Sequence, residues 1–337
     1  KLLNLLENFH GIGISMAKIS IYLSKSSSSE EVLKYKKYLK ESLFRHRVTF
    51  HRPSSLDEIN ETLSKELMKE SVDYVFAMGG DGTIHQFIQM MCGTKVPLLI
   101  IPTGTANDLA RELSLSSKIE HAVRTFLDKK IESIDLISVN KNLMSTCGGL
   151  GISSEVAGKI NELRVDFPWF KKIVKVIGPG IYPIILSIYF LRKLKLHRLQ
   201  IISNDFPGLS NIQEASMVMI NNQSILGKSF VVAPGTVNTD GKFNVTIFKH
   251  KNKVSLIKAV IMIGLGKKDL SDKNLTCFET KNIEINCLGK KLSFFGDGEV
   301  IERSENFSIT SVDKSLKVFK SSNSAFSLPV SLDEVSL

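Results

Sequence analysis

The residues best suited to chemistry are Gly79-Gly80-Asp81-Gly82-Thr83, which follow a strand-like run and precede a helical one. Three glycines remove side chains, so a phosphate could come within hydrogen-bonding reach of backbone N–H groups. The N-terminus of the following helix adds partial positive charge. Asp81, set among those donors, could coordinate or orient Mg2+ or polarise an attacking group. The plain alternative is an Asp-Gly turn, whose usual setting is a hairpin, whereas a strand and a helix flank this one. No Gly-Lys-Ser/Thr follows, so the loop is not of the Walker A kind.

Pro102-Thr103-Gly104-Thr105-Ala106-Asn107-Asp108 closes the next strand-like run in the same way. In an open parallel sheet, ligands gather beyond the carboxyl ends of adjacent strands, so two such loops would face one cleft. Thr105 can donate to a phosphate, and Asp108 could hold a basic residue or the water shell of a metal. Equally, Asn107 or Asp108 could simply cap the helix before Leu109, worth about 1 kcal/mol. Gly296-Asp297-Gly298-Glu299 lies between two apolar runs; its carboxylates could take a proton from an alcohol, or the segment could be a hairpin turn carrying an exposed acid. Asp240-Gly241 by itself reads as a turn.

The elements that must position these groups alternate in the first part of the chain. Strands are expected at 19–23, 48–50, 73–78 and 97–102, and helices at 30–45, 56–69 and 84–91. That alternation implies a parallel sheet with right-handed crossovers. From about Ile134 the pattern changes to paired strands at 135–139 and 143–147, then a helical stretch from Ser154 to about Leu194. Short β-branched and aromatic runs follow, separated by Asn-Asp, Asp-Gly and Leu-Gly-Lys turns, which suits a sandwich or meander. The expected division falls near Ser133: an α/β domain over 1–133, a β-rich domain over 134–319, and a tail over 320–337 that packs back on the first.

The chain has 337 residues, 43% hydrophobic and 23% charged, with a formal net charge of +10. This is the composition of a globular protein with an anionic partner: a nucleotide, an anionic membrane or a nucleic acid. Cys92, Cys147, Cys277 and Cys287 are scattered, which argues against a zinc site or disulfide framework and fits a reducing cytosol. The apolar run Ile181–Leu191 contains Pro183 and falls short of the roughly 20 residues a spanning helix needs. No signal-peptide core is evident, so the expectation is a cytoplasmic protein, soluble or peripheral to the membrane. Basic clusters flank the apolar surface within 167–198, the pattern of a peripheral helix on an anionic bilayer or of a buried helix with solvated lysines.

In order along the chain, Gly79–Thr83, Gly104–Asp108, Gly148-Gly149-Leu150-Gly151, Asn221-Asn222 to Ala233-Pro234, Asp240-Gly241-Lys242-Phe243 and Asp297-Gly298-Glu299 resemble the diacylglycerol-kinase catalytic-domain family of soluble bacterial lipid kinases, related to sphingosine and ceramide kinases. The resemblance implies an α/β-plus-β fold: an N-terminal three-layer nucleotide-binding domain with a parallel sheet, and a C-terminal sandwich-like domain with a helical insertion. It implies transfer of the ATP γ-phosphoryl group to a lipid hydroxyl, with Gly79, Gly80, Asp81, Gly82, Thr83, Thr105, Asn107 and Asp108 at the nucleotide. Glu299 would be the proton acceptor with Asp297 beside it. Asp81 and Asp108 would organise the catalytic Mg2+, and a structural Mg2+ would sit at the Asp240 side chain and the carbonyls of Val237 and Lys242. The implied partners are ATP, a lipid alcohol and, transiently, a membrane surface, with no nucleic acid; a homodimer is compatible. An NAD kinase-like enzyme, sharing Gly-Gly-Asp-Gly, and a catalytically weak lipid-binding regulator are the competing readings. The chain departs from the family at Ser24–Ser28, at Ile84-His85-Gln86 and at Ser145-Thr146-Cys147.

Overall fold

The computed structural model describes residues 16–166, 194–209, 211–226, 230–267 and 271–322. The first half contains strands β1 (Lys18–Tyr22), β2 (Arg47–His51), β3 (Tyr74–Gly79), β4 (Leu98–Pro102), β5 (Ile131–Val139), β6 (Asn142–Met144) and β7 (Cys147–Gly151). Its helices are α1 (Ser29–Ser42), α2 (Leu56–Met68), α3 (Asp81–Met91), α4 (Asp108–Glu112), α5 (Ile119–Leu127) and α6 (Ile152–Asp166). The second half adds β8 (His197–Ile202), β9 (Ile212–Ala215), β10 (Met217–Asn221), β11 (Ile225–Leu226), β12 (Phe230–Val231) and β13 (Phe243–Phe248). Helix α7 (Lys253–Gly264) then precedes β14 (Leu275–Thr280), β15 (Asn282–Cys287), β16 (Leu292–Gly296), β17 (Glu299–Ser304) and β18 (Asn306–Phe319).

Strands β1 to β4 form a parallel sheet in the order β2-β1-β3-β4, with β1 paired to both β2 and β3. The chain leaves β1 in one direction for β2 and returns on its other side as β3. The switch point, where such sheets bind ligands, therefore lies between β1 and β3. Every residue of β4 is buried, as expected of a parallel strand covered on both faces. The serine run after β1 ends as a helix cap. Ser28 Oγ accepts from Glu31 N at 3.1 Å, and Glu31 Oε2 accepts from Ser28 N at 2.7 Å, a capping box that starts α1.

The sheet is mixed rather than purely parallel. Beyond β4 it continues through β18, β15, β8 and β9, with β5 paired antiparallel to β18. A second sheet, β14-β13-β10-β7-β16-β17, is antiparallel throughout. Its inner face meets the extension of the first across a core including Ile137, Ile201, Val218, Val245, Ile285, Phe294 and Phe307. Helices α6 and α7 cover its outer face through Val156, Ile160, Leu256, Ala259, Met217 and Phe248. The C-terminal part is thus an antiparallel sandwich-like unit.

Several elements differ from their expected forms. Helix α3 starts at Asp81 rather than Ile84, so the glycine motif itself forms its first turn. The 143–147 run divides into β6 and β7 around Ser145-Thr146. Helices α5 and α7 were not expected: α5 hides between a polar loop and β5, and α7 has lysines and few polar spacers in a region dominated by strand patterns. The helix from Ser154 belongs to α6; its expected continuation, with the Ile181–Leu191 run, lies outside the described residues. Ser133, the expected division, falls within β5, whose Ile134 and Leu136 pack in the α/β core while Ile137 and Val139 pack in the sandwich. At the start of the tail, Lys320 N and Ser321 N donate to the carbonyls of Lys130 and Leu113.

Candidate active site

The two glycine loops meet at the carboxyl ends of β3 and β4. A methyl built on Gly104 would lie 2.7 Å from Gly80 Cα, so the loop backbones touch, and neither position has room for a side chain. Gly79, the last residue of β3, is covered by the helix that follows: a methyl there would come within 2.6 Å of Thr83 Cβ. Asp81 is the clamp between the loops. Its Oδ2 accepts from Asn107 N and its Oδ1 from Asp108 N, both at 2.9 Å. Burial raises the Asp81 pKa; the N–H groups of Asn107 and Asp108 oppose this, and the charge of Asp297 adds to it.

Asn107 occupies the N-cap position of α4 but makes no capping bond, being in the left-handed region at φ 53°. Its amide instead closes the loop on Gly104, accepting from Gly104 N at 3.0 Å and donating to Gly104 O at 2.8 Å. The simple capping alternative therefore fails. Thr105 is half-buried on the same loop, and Asp108 begins α4 beside the cleft.

Across the cleft, Asp297 and Gly298 turn the β16–β17 hairpin, with φ of 53° and 86°. Two consecutive left-handed residues are what a type I′ turn demands and what Asp-Gly supplies. The turn aims two carboxylates differently. Asp297 points inward and accepts from Ser145 N and Oγ, from Thr146 N and Oγ1, and from His85 Nδ1 at 3.1 Å. Burial alone would raise its pKa, but His85 and the Ser145-Thr146 donors outweigh burial and hold it below the usual carboxylate range. Glu299 points outward. Its Oε2 accepts from Asn161 Nδ2 of α6 at 2.8 Å, and its Oε1 lies 3.9 Å from where a methyl on Gly82 would stand. A carboxylate of the sandwich therefore faces the glycine loop of the α/β part.

His85, one turn into α3, bridges the two parts. Gln89 fixes its tautomer: Gln89 Oε1 accepts from Leu143 N at 3.0 Å, and Gln89 Nε2 donates to Leu143 O at 2.7 Å, leaving its second N–H for His85 Nε2 at 3.2 Å. The neutral ring then carries its proton on Nδ1 and donates it to Asp297. Burial pulls the His85 pKa down, but the Asp297 bond and the charges of Asp297 and Glu299 raise it overall. Gln86, the neighbouring departure, turns away and donates to Asn60 of α2. Asn222 Nδ2 donates to the carbonyls of Asp135 and Ser145, pinning the turn that receives Asp297.

Asp81, His85, Asp108, Ser145, Thr146 and Asp297 line one cavity behind the loops, closed on its apolar side by Ile84, Ile88, Ile100 and Leu109. Three carboxyl groups and one imidazole thus gather around it. Among the described residues no three acidic, His or Cys groups converge as a preformed metal cage. The Asp240 turn lies elsewhere: Asp240 Oδ1 accepts from Lys242 N at 2.9 Å, and Gly241 N donates to Asp135. Sequence reasoning missed His85, Asn161 and the Ser145-Thr146 donors as parts of the site. His85 and Ser145-Thr146 carried a signal, as departures from the family pattern; Asn161 carried none.

A doubly wound α/β unit whose glycine loops face a hairpin acid from an antiparallel sandwich defines a two-part protein built around one shared cleft. Comparison with known proteins makes the class specific. A model described as "Diacylglycerol kinase catalytic domain" matches residues 22–139, and one described as "YegS C-terminal NAD kinase beta sandwich-like domain" matches residues 185–319. Residues 22–139 are thus similar to diacylglycerol-kinase catalytic domains, and residues 185–319 to the sandwich-like domain of a related kind. It is 30% identical over 192 residues to a "Putative lipid kinase" of Staphylococcus carnosus (strain TM300), a match covering 56% of this chain and 58% of that protein's length. It is 25% identical over 239 residues to a diacylglycerol kinase of Bacillus subtilis (strain 168), covering 70% of this chain and 74% of the relative. A crystal structure of "a putative diacylglycerol kinase from Bacillus anthracis str. Sterne" superposes with a TM-score of 0.70 at 18% identity, over 92% of this chain and 99% of the other; this likeness speaks to the fold.

Proposed function

We propose that the chain transfers the γ-phosphoryl group of ATP to the hydroxyl of a lipid alcohol, diacylglycerol-like or sphingoid- or ceramide-like, giving a phospholipid and ADP. The observation that carries this reading is Glu299: an oriented carboxylate of the sandwich that faces Gly82 of the glycine loop, where a hydroxyl and a terminal phosphate could meet. The N–H groups of Gly80 to Gly82 and the Thr105 hydroxyl would cradle the phosphates, the Thr83 N–H being spent on the carbonyl of Gly80. Glu299 would accept the hydroxyl proton as the new O–P bond forms and the bond to the leaving ADP oxygen breaks. Asn161 orients Glu299, and Asp297 acts through position: its oxygens are already engaged, and it fixes the turn from which Glu299 projects. Asp81 holds the two phosphate loops in register.

Mg2+ suits the carboxylate oxygens that line the cavity, since it is a hard cation that takes oxygen ligands. Asp81 and Asp108 would hold the ion together with the phosphates, the usual arrangement for this cation. When bound, it would neutralise charge on the transferring group. The all-oxygen set of the Asp240 side chain and the Val237 and Lys242 carbonyls is likewise chemically suited to a structural Mg2+. Location at a cytoplasmic membrane face belongs to the same proposal; among the described residues, no helix is long and apolar enough to cross a membrane.

The test is transfer of label from γ-labelled ATP to dispersed lipids and, in parallel, to NAD, with products identified by mass spectrometry. The proposal expects a phosphorylated lipid, and a loss of about 10²- to 10⁴-fold in kcat for Glu299→Gln with ATP affinity retained. Exclusive labelling of NAD, ATP binding without any transfer, or near-wild-type turnover by Glu299→Gln would overturn it.

A further inference from the structure

Helix α7 has two faces of opposite purpose. Leu256, Ala259 and Ile263 are buried in the apolar cluster over the outer face of the second sheet. On the other side Val254 is 74% exposed, Ile261 53% and, just past the helix end, Leu265 61%. Lys258 is exposed as well. These positions are spaced four, three and four apart, so they form one stripe along the helix. An exposed apolar stripe on a single helix is unusual enough to ask what covers it.

The charge around the stripe narrows the answer. Between residues 249 and 267 stand Lys249, Lys251, Lys253, Lys258 and Lys267 and no acidic residue. Lys251 pairs with Glu214 at 2.7 Å; the other four have no acidic partner among the described residues. Lys253 occupies the first position of α7, and no acid accompanies it in the first turn. A lysine there opposes the helix dipole and weakens the isolated helix. The same arrangement adds its charge to the dipole and makes that end attractive to anions.

We propose that α7 is a membrane-docking helix. It lies in the plane of an anionic bilayer, with Val254, Ile261 and Leu265 in the acyl boundary and Lys253 and Lys267 at the headgroups, while Lys258, on the same stripe, runs its stem along the apolar surface and its ammonium back to the headgroups. At 12 residues it is about 18 Å long, too short to span a hydrocarbon core of ~30 Å and suited to an interfacial position. A second copy of the chain is the wrong occupant, because a two-fold contact would set lysines against lysines. Location gives the docking a purpose. Helices α7 and α6 share one apolar cluster over the outer face of the second sheet, and α6 carries Asn161, which holds Glu299. An acceptor leaving the bilayer on this face would therefore meet the helix that orients Glu299. This purpose, though not the docking itself, rests on the lipid-kinase reading.

The test is co-sedimentation with phosphatidylcholine vesicles containing none or about a third phosphatidylglycerol, without ATP, alongside phosphoryl transfer to lipid in detergent micelles. Two variants suffice: Ile261→Ser with Leu265→Ser, and Lys253→Gln with Lys258→Gln and Lys267→Gln. All five side chains lie outside the buried core of the sandwich, so melting curves should match the wild type. Expected are selective binding to anionic vesicles, weakening at high salt, a drop of about tenfold or more in partitioning for each variant, and unchanged turnover in micelles. Wild-type partitioning by both variants, equal binding to neutral vesicles, or a wild-type dimer that the variants dissociate would overturn the inference. Vesicle binding that depends on α7 with no lipid phosphorylated in micelles would support the docking surface while removing the kinase proposal.

Discussion

Gly104→Ala tests the loop contact on which the nucleotide site depends. Gly104 does not have a left-handed backbone, so alanine is conformationally acceptable and only space is at issue. The new methyl would stand 2.7 Å from Gly80 Cα and 2.8 Å from Asn107 Oδ1. Carbon atoms in contact rest about 3.5–4.0 Å apart, so the two loops must separate by about 1 Å. Retreat is blocked in both directions. Asn107 is tied to Gly104 by two hydrogen bonds, and Gly80 adjoins Asp81, which is tied to Asn107 and Asp108. Overpacking of this kind costs about 1–3 kcal/mol. Expressed at the nucleotide site, that is a loss of about fivefold to a hundredfold in ATP affinity. Calorimetric titration with ATP and thermal melting would read the effect, with Gly93→Ala as the control. Gly93 has φ +76° and open space around it, so alanine there should cost about 1–2 kcal/mol of stability and leave ATP affinity unchanged. Wild-type ATP affinity and melting temperature for Gly104→Ala would refute the claim that the loops are in contact.

Asp81→Asn keeps the shape but turns one acceptor into a donor facing a backbone N–H. It should lower stability by about 1–3 kcal/mol and weaken ATP binding with it; ATP affinity equal to wild type would remove the clamp role. The His85–Asp297 pair predicts a pH window. Asp297 is held below its ordinary 3.8, so its contribution is present above that pH and fades as pH falls through the depressed value. His85 is raised above 6.5, so its contribution is complete below 6.5 and fades as pH rises through the raised value. The melting-temperature gap between wild type and His85→Gln should therefore be widest between about pH 4 and 6.5. A gap that grows above pH 8 would contradict the pairing.

The parallel half of the fold was legible because β4 and its neighbours are continuous apolar runs that end in glycine loops. The Gly79 and Gly104 loops were likewise readable as partners, since adjacent parallel strands must deliver their carboxyl ends side by side. What they do to one another was not. That Asp81 binds backbone N–H groups of the second loop, and that Asn107 folds back on Gly104, depend on distances no spacing rule supplies. Asp297-Gly298 was readable as a turn and as an acid site; it is a turn, and the turn separates an inward Asp297 from an outward Glu299. Asn161 sits on a helix with nothing nearby to mark it. Helix α7 escaped notice because its exposed apolar stripe removes the polar face by which amphipathic helices are recognised.

The long strand β18 has a consequence for how the chain is made. Its early residues pair with β15, whereas Val318 pairs with Leu98 of β4, and β5 pairs with it from Ile309 to Phe319 across a register shift. A bulge near Lys314, whose N–H donates to Asp135, lets it pass from one core to the other. During synthesis the parallel sheet emerges from the ribosome long before its neighbour on the β4 side. Until β18 arrives, β4 presents an open, wholly apolar edge, the kind that invites pairing with another chain. The α/β half therefore cannot finish as an independent folding unit, and any fragment ending before Asn306 should aggregate rather than yield a working half.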